Sequence, residues 1–209
     1  MKHPKDDQNG TAKESPNYYA LSRESRRLAK DRKWEEAKAP CRELIKLYPE
    51  HNERGGNPYV LLAKAHRELK EFTEERKTLE TLAGISGDAY EAFVRLIELG
   101  EEAGDWEAVQ RNAERALAVN PLLPRPHRQL ALAAEAKDQA GPAIESWRTL
   151  LELKPEDPAE AHFHLAQLLR EQEKLEAKRQ LLLALEEAPR FREAHRLLLD
   201  WNNERKEEE

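Results

Sequence analysis

The sequence predicts an all-α protein built as a solenoid of helical hairpins, and three observations lead to this fold class. The chain of 209 residues repeats with a period of 34, so that Gly87, Pro121, Pro155 and Pro189 recur at that interval. Within each repeat the apolar residues are spaced as on helices. A polar or glycine-containing break near the middle of each repeat then divides it into two short helices.

Apolar residues recur in phase with this period. The columns contain Leu62, Leu96 and Leu130; Leu79, Ala113, Trp147 and Leu181; Leu82, Ala116, Leu150 and Ala184; and Phe72 with Trp106. One amphipathic hairpin cannot cover its own apolar face, so we expect successive repeats to stack around a continuous core.

Helix start signals agree with the repeats. Asp157-Pro158 followed by Glu160 resembles a capping box with proline in the first turn. Asn57-Pro58 and Ser15-Pro16 offer the same start. Tyr90, Phe93, Leu96 and Ile97 then form one helical stripe.

The repeats predict the domain organisation. We expect a disordered polar leader at 1–15, a solenoid at 16–204 and a disordered charged tail at 205–209. The repeats occupy about 16–51, 56–89, 90–123, 124–157 and 158–190, and a capping helix occupies 191–204. That last helix places Phe191, Ala194, Leu198 and Trp201 on one face, whereas Arg192, Glu193, Arg196 and Asp200 face away, as expected of a cap.

The repeated residues resemble a known family. The third repeat shows Phe93, Leu96, the turn Gly104-Asp105-Trp106, Val109, Ala113, Ala116 and Pro121. This pattern resembles the tetratricopeptide repeat (TPR), and the resemblance covers roughly 16–204. It implies a right-handed superhelix of about five TPR hairpins with a C-terminal capping helix, in which the first helices line the concave side.

Four departures from the pattern are expected to have local effects. Residues 52–55 are extra between the first two repeats, and the fifth repeat loses one residue in its central turn. Glu75 stands where the family has a small residue, so that helix pair should pack less closely. Pro40 should kink its helix or delay the start of that helix.

Composition excludes several classes of protein. No apolar run approaches the roughly 18 residues of a membrane-spanning helix, so we expect no membrane insertion. The net charge of −6 has the wrong sign for binding a nucleic acid backbone. No secretory signal is visible between Met1 and Asn9, and we expect a cytoplasmic, monomeric protein without cofactors.

Catalysis finds little support in the residues. Cys41 and His66 fall in core columns, where a thiol and an imidazole are normally structural. His162 and His164 are two apart and would point in different directions from a helix, so they cannot easily share a metal. His127, His162 and His195 occupy the same early place in successive repeats, which favours a packing role. The tryptophans that lie in repeat columns are likewise expected to have a packing role. We therefore predict that the protein is not an enzyme.

The predicted ligand surface lies on the concave side of the first helices. It comprises Tyr19, Arg26, Asn57, Val60, Lys64, Arg67, Glu91, Val94, Glu98, Arg125, Arg128, Leu132, Phe163, Gln167 and Arg170. Its charges run in bands, basic at the amino terminus, acidic in the middle and basic again in the fourth repeat. Such bands suit a peptide whose charges alternate in blocks, with isolated apolar residues as anchors. Ordinary solvated helix faces are the simpler alternative.

Three functions remain open from the sequence. The first is an adaptor that binds a peptide or protein segment in the concave groove. The second is a non-catalytic TPR module of a larger protein, such as an enzyme or peptidase, that positions a substrate or partner domain. The third is a self-assembling scaffold. The Lys and Asn clamp that related repeats use for chaperone tails is absent, because Ser22, Arg26, Leu61 and Glu91 occupy its places.

Overall fold

The computed structural model describes residues 18–50 and 56–208, with side chains described as far as Asn203. These residues form eleven α-helices and no strands, which confirms the all-α class of five hairpins and a closing helix. They fall into two compact units, one ending at Ile85 and one beginning at Ser86. The predicted leader (1–15) and the four extra residues (52–55) lie outside the described residues, and the domain limits stay predictions.

The first unit consists of two helical hairpins. Its helices are α1 (Tyr18–Lys30), α2 (Trp34–Leu47), α3 (Pro58–Glu68) and α4 (Phe72–Ile85). Each helix contacts the next along the chain, and the two first helices, α1 and α3, also contact each other. Cys41, Leu44, Leu62, Leu79 and Leu82 are buried between them, which is the core that the repeat columns predict.

The second unit consists of three hairpins and a closing helix. Its helices are α5 (Tyr90–Ala103), α6 (Trp106–Val119), α7 (Pro124–Ala136), α8 (Ala140–Glu152), α9 (Ala159–Leu169), α10 (Lys174–Glu187) and α11 (Arg192–Glu208). Each helix again contacts the next in order. Trp147 is completely buried against Leu150, Leu165 and Leu169, and Leu181 packs with Ala194 of the closing helix.

The closing helix is longer than the sequence analysis predicts. It continues to Glu208, so residues 205–208 form its last turn instead of a separate charged tail. Glu, Arg and Lys are good helix formers, and neither Gly nor Pro follows Asn203 to stop the helix. The predicted two faces are present, because Ala194 is buried while Arg192, Glu193, Arg196 and Asp200 are exposed.

The turns inside the hairpins share one backbone conformation. Arg32, Lys70, Gly104 and Asp138 occupy equivalent places in the first four hairpins, and all four have φ between 55° and 68°. This left-handed conformation is free of strain only for glycine. None of the described residues 170–173 of the fifth turn adopts it, consistent with the residue that this turn lacks.

Two local expectations can be compared with the structure. Pro40 lies inside α2, which begins at Trp34, so the late start does not occur, and the kink expected as its alternative stays a prediction. The column of Phe72 and Trp106 is not a fully buried one, because Phe72 is 48% exposed and Trp106 is half-buried. Both residues begin a second helix directly after the turn, where one side of the ring remains open to solvent.

Three early aromatic residues bind the carbonyl that closes the preceding repeat. Tyr59 donates from its hydroxyl to Pro49 O at 3.0 Å. The Nε2 atoms of His127 and His195 lie 2.9 and 3.0 Å from the carbonyl oxygens of Pro121 and Pro189. His162 instead contacts Gln180 at 2.6 Å. Two of the three recurrent histidines therefore tie the turn between repeats to the next helix, which periodicity alone does not predict.

Candidate interaction surfaces on the first helices

The first helices of the first unit expose a group of cations. Arg23, Arg26 and Lys30 lie at intervals of three and four on α1, and Lys64 and Arg67 do so on α3. All five are exposed, because Leu28 of α1 and Leu62 of α3 occupy the core-facing sides of these helices. We refer to these five residues as the cationic face. Arg26, Lys64 and Arg67 belong to the basic band of the predicted ligand surface, whereas Arg23 and Lys30 are additional cations that the structure places beside them.

Two of these cations are held by neighbouring groups. A Cβ atom on Gly56 would lie 1.9 Å from the Arg26 guanidinium, so Arg26 occupies space that only glycine leaves free before α3. The Lys64 ammonium lies 5.6 Å from the centre of the Trp34 ring, within range of a cation–π contact. Both side chains are therefore positioned before any ligand arrives.

Asn57, which the sequence analysis places on the ligand surface, is buried in the structure. It is only 7% exposed, and its side-chain oxygen accepts a hydrogen bond from Tyr59 N at 2.9 Å. An asparagine directly before a helix satisfies an otherwise unpaired backbone donor. The Asn57-Pro58 start signal, noted in the sequence, explains this role better than ligand binding does.

Tyr19 and Val60 complete the predicted residues of the first unit. Tyr19 is 74% exposed and meets Tyr18 edge to face at 5.7 Å, and Tyr18 meets Tyr48 in the same way at 5.1 Å. Val60 is half-buried on α3, one turn before Lys64. These two side chains add an aromatic and an aliphatic contact beside the cations.

A buried polar cluster that the sequence analysis missed joins the two hairpins of the first unit. Lys38 is 8% exposed at its side chain and donates to both oxygens of Glu71 at 3.1 and 3.2 Å. His66 Nδ1 lies 2.5 Å from Glu71 Oε2. Lys38 also pairs with Glu35 at 2.8 Å. Glu71 follows α3, and only the packing of α2 against α3 brings Lys38 within its reach.

The cluster shifts the ionisation of its members. Hydrogen bonds from His66 and then from Lys38 hold the pKa of Glu71 below its ordinary value of 4.5. The hydrogen bond to Glu35 raises the pKa of Lys38 above 10.5, against the opposing effect of burial. Because both shifts favour the charged forms, the cluster stabilises the folded first unit at neutral pH.

The first helices of the second unit present charges that are already paired. Glu98 of α5 accepts from Arg125 of α7 at 2.9 Å and from Arg95 at 3.0 Å. Burial alone would raise the pKa of Glu98, but these two arginines keep it below 4.5. The acidic band on α5 and the basic band on α7 therefore meet each other directly.

A second pair of contacts extends this arrangement to α9. Arg128 binds both oxygens of Glu160, with distances of 2.6 Å from Nε and 2.5 Å from Nη2. This hydrogen bonding lowers the pKa of Glu160 and raises that of Arg128. The neighbouring Gln129 donates to Glu101 at 2.7 Å, and burial raises the pKa of that carboxyl.

Glu135 of α7 forms a second link to α9. It accepts from the indole of the buried Trp147, and its other oxygen lies 2.9 Å from His164 Nδ1. The His164 ring also stacks on Trp147, with centres 4.7 Å apart. His162 contacts Gln180 instead, so the two histidines do point to different partners.

The remaining predicted residues of the second unit are three apolar and three polar side chains. Val94, Leu132 and Phe163 are half-buried, one on each of α5, α7 and α9. The Phe163 ring packs 4.8 Å from that of Phe191. The other three are Glu91 and Gln167, which are exposed, and Arg170, whose guanidinium lies 5.6 Å from the Trp201 ring.

These contacts correct the predicted charge bands. A ligand with alternating blocks of charge would need free acidic and basic bands, but Glu98, Arg125 and Arg128 neutralise one another or Glu160 within the second unit. The spacing of the residues on each helix follows from the sequence, whereas the pairing depends on which first helices lie side by side. In this unit Leu132 and Phe163 pack against the core with part of their surface, and the part that stays exposed is available for contact with a ligand.

The candidate catalytic and metal-binding residues have structural surroundings. Cys41 is completely buried, and burial raises the pKa of its thiol to about 11, which keeps it protonated. His66 is 3% exposed and is hydrogen-bonded to Glu71. The described part of the chain contains no group of three or more His, Cys, Asp or Glu residues that could hold a metal ion. None of its helices is long and apolar enough to cross a membrane.

Comparison with known proteins supports the fold and leaves the function open. No protein-family model matches the sequence, and no curated protein matches it. Among solved structures, YrrB, described as a TPR protein with an unusual peptide-binding site, matches with a TM-score of 0.67 and 14% identity over 87% of this chain and 91% of its own. MamA matches with 0.62 and 16% identity over 81% and 91%, and PilF of Pseudomonas aeruginosa with 0.53 and 16% over 82% and 76%. This chain therefore has the fold of a TPR protein, as its repeats predict.

Proposed function

We propose that the protein is a non-catalytic interaction module that holds a peptide or a segment of another protein against the first helices of its hairpins. The observation that carries this proposal is the set of half-buried apolar residues on successive first helices of the second unit, Val94, Leu132 and Phe163. Apolar contacts supply most of the affinity in such complexes, while paired charges around them mainly exclude other partners.

The fold supports the same function in a coarser way. The repeat columns build the core from one side of each first helix, and the exposed side carries residues such as Arg67 and Gln167 that the core does not use. The proposal covers both the free adaptor and the module of a larger protein, because the binding face is the same in each. The exposed acidic residues and the buried thiol give no arrangement suited to catalysis.

A selection experiment tests this proposal. A random peptide library displayed on phage is panned against the purified chain, and the selected peptide is titrated calorimetrically into the wild type. Phe163→Ala should weaken its binding by about tenfold, which corresponds to about 1.4 kcal/mol, the scale expected for one apolar anchor.

The matched control is Leu175→Ala. Leu175 is 89% exposed on α10, a second helix, so its removal should leave both binding and thermal stability unchanged. The proposal is wrong if selected peptides lose as much affinity from Leu175→Ala as from Phe163→Ala. It is equally wrong if Phe163→Ala binds the selected peptide as tightly as the wild type while Leu175→Ala binds it more weakly.

A further inference from the structure

The cationic face differs from the charged residues that link the first helices of the second unit. Among the described residues no carboxylate forms an ion pair with Arg23, Lys30, Lys64 or Arg67. By contrast, Arg95, Arg125 and Arg128 of the second unit each bind a glutamate at 3.0 Å or less. Four cations of the first unit are therefore available to a partner, whereas these three arginines are already paired.

The surroundings of the cationic face favour binding over simple solvation. Arg26 extends from α1 to the start of α3, where Gly56 has no side chain that would clash with it. The Lys64 ammonium lies over the Trp34 ring. Positioned side chains lose less conformational entropy when a ligand binds. Tyr19 and Val60, on the same stripes of α1 and α3, offer non-polar contact next to the charges.

The spacing of these cations matches an extended chain. Arg26 and Lys30 are four residues apart on α1, which places their Cα atoms about 6 Å apart along the helix. Alternate residues of an extended segment are about 6.6 Å apart, and their side chains point to the same side. A segment with glutamate or aspartate at alternate positions can therefore meet successive cations from one side.

We propose that the cationic face of α1 and α3 binds an extended acidic segment of a partner protein. This inference rests on the proposed function and adds the charge of the partner and the unit that receives it. It replaces the partner with alternating blocks of charge that the sequence predicts. Single exposed ion pairs contribute little, so recognition needs several carboxylates at once and should weaken as salt rises.

The test uses a synthetic probe. A fluorescein-labelled peptide of about ten residues, in which Glu alternates with Ser to give the spacing of an extended strand, is titrated into the full chain and followed by anisotropy. The wild type should bind it, and the double variant Lys64→Glu with Arg67→Glu should bind at least about tenfold more weakly.

The matched control changes the same charge elsewhere in the first unit. Arg42→Glu with Lys46→Glu alters two exposed cations of α2, a second helix, and leaves the cationic face intact. This variant should bind within about twofold of the wild type, since long-range effects of exposed charges are screened. Equal losses in the two double variants would show unspecific attraction and overturn the proposal.

Further arms exclude a folding defect and another class of partner. Lys64→Gln with Arg67→Gln removes the charges without reversing them. Thermal unfolding first confirms that this variant is folded, and its affinity for the acidic peptide is then compared with that of the wild type. The proposal is overturned if the acidic peptide does not bind to the wild type. It is also overturned if single-stranded poly-uridine binds to the wild type more tightly than the peptide does. The library peptide and Phe163→Ala report on the second unit, so failure of the acidic probe can be told apart from failure of the proposed function.

Discussion

Glu71 shows how one side chain can join two repeats. It accepts hydrogen bonds from Lys38 of α2 and His66 of α3, and it lies in the turn that leads to α4. A glutamate in a turn looks like an ordinary surface residue in the sequence. Its role appears only where packing buries the lysine and the histidine beside it.

Replacing Glu71 by Gln should destabilise the first unit and change its response to acid. Because the pKa of Glu71 is lower in the folded protein than its ordinary value of 4.5, its contribution is present above that value and is lost as the pH falls through the folded pKa. Urea unfolding at a series of pH values should show a lower midpoint for the variant at pH 7 and a smaller loss of stability below pH about 4.5.

Glu80→Gln is the control for this experiment. Glu80 is exposed on α4, and its replacement removes the same charge without touching the cluster. Its unfolding curve should follow that of the wild type from neutral pH down to acid. If both variants behave alike, the hydrogen bonds to Glu71 do not stabilise the unit.

The hairpin turns carry the clearest conflict between residue type and backbone at the level of single elements. Lys70 connects α3 to α4 with a φ of 61°, and Arg32 connects α1 to α2 with a φ of 55°. Only Gly104, between α5 and α6, is suited to this region. The recurrent conformation shows that the geometry of the hairpin determines the backbone conformation of the turn, even where the residue type disfavours that conformation.

Lys70→Gly should stabilise the protein, and Gly104→Ala should destabilise it. A side chain with a Cβ atom costs about 1 kcal/mol in the left-handed region, so the two changes should move the unfolding free energy in opposite directions by about that amount. Calorimetric unfolding of both variants measures this. No clash obscures the result for Gly104, because no atom lies within 4 Å of an added Cβ. A destabilised Lys70→Gly variant would show that its side chain has a role beyond the turn.

The closing helix completes the core at the end of the second unit. Ala166 and Leu181 are completely buried together with Ala194 of α11, and Phe191, just before that helix, packs against one side of Phe163. A solenoid of this type needs a terminal element with an apolar inner and a polar outer side. Helix α11 meets this requirement, since it buries Ala194 and exposes Arg196.

Removing residues 192–209 should lower the melting temperature and uncover apolar surface. The exposed side chains of α9 and α10 should then increase the fluorescence of a hydrophobic dye, because their former cover is absent. The control is a shorter deletion of residues 204–209, which leaves Trp201 and the inner face of α11 in place. That chain should melt within a few degrees of the wild type. A similar melting temperature for both deletions would contradict the capping role.

How much of the structure can be predicted from the sequence depends on how far apart in the chain the interacting residues lie. The period of 34, the core columns and the start of α3 at Asn57-Pro58 depend on neighbours a few residues apart or on exact repetition, and they were predictable. The position of Asn57 on the ligand surface is a wrong prediction, because its side chain caps α3 at that same start signal. The pairs Glu98 with Arg125 and Arg128 with Glu160 join residues 27 and 32 positions apart, and no local pattern identifies them.

The amino-acid sequence by itself determined that this protein is a stack of helical hairpins, because hydrophobic periodicity and turn signals are local properties of the chain. Only the tertiary structure decided which charges are available to a partner. Side chains on different hairpins meet only where their helices lie side by side. In the second unit Glu98 pairs with Arg125 and Glu160 with Arg128, whereas no described carboxylate forms an ion pair with Arg23, Lys30, Lys64 or Arg67 of the first unit.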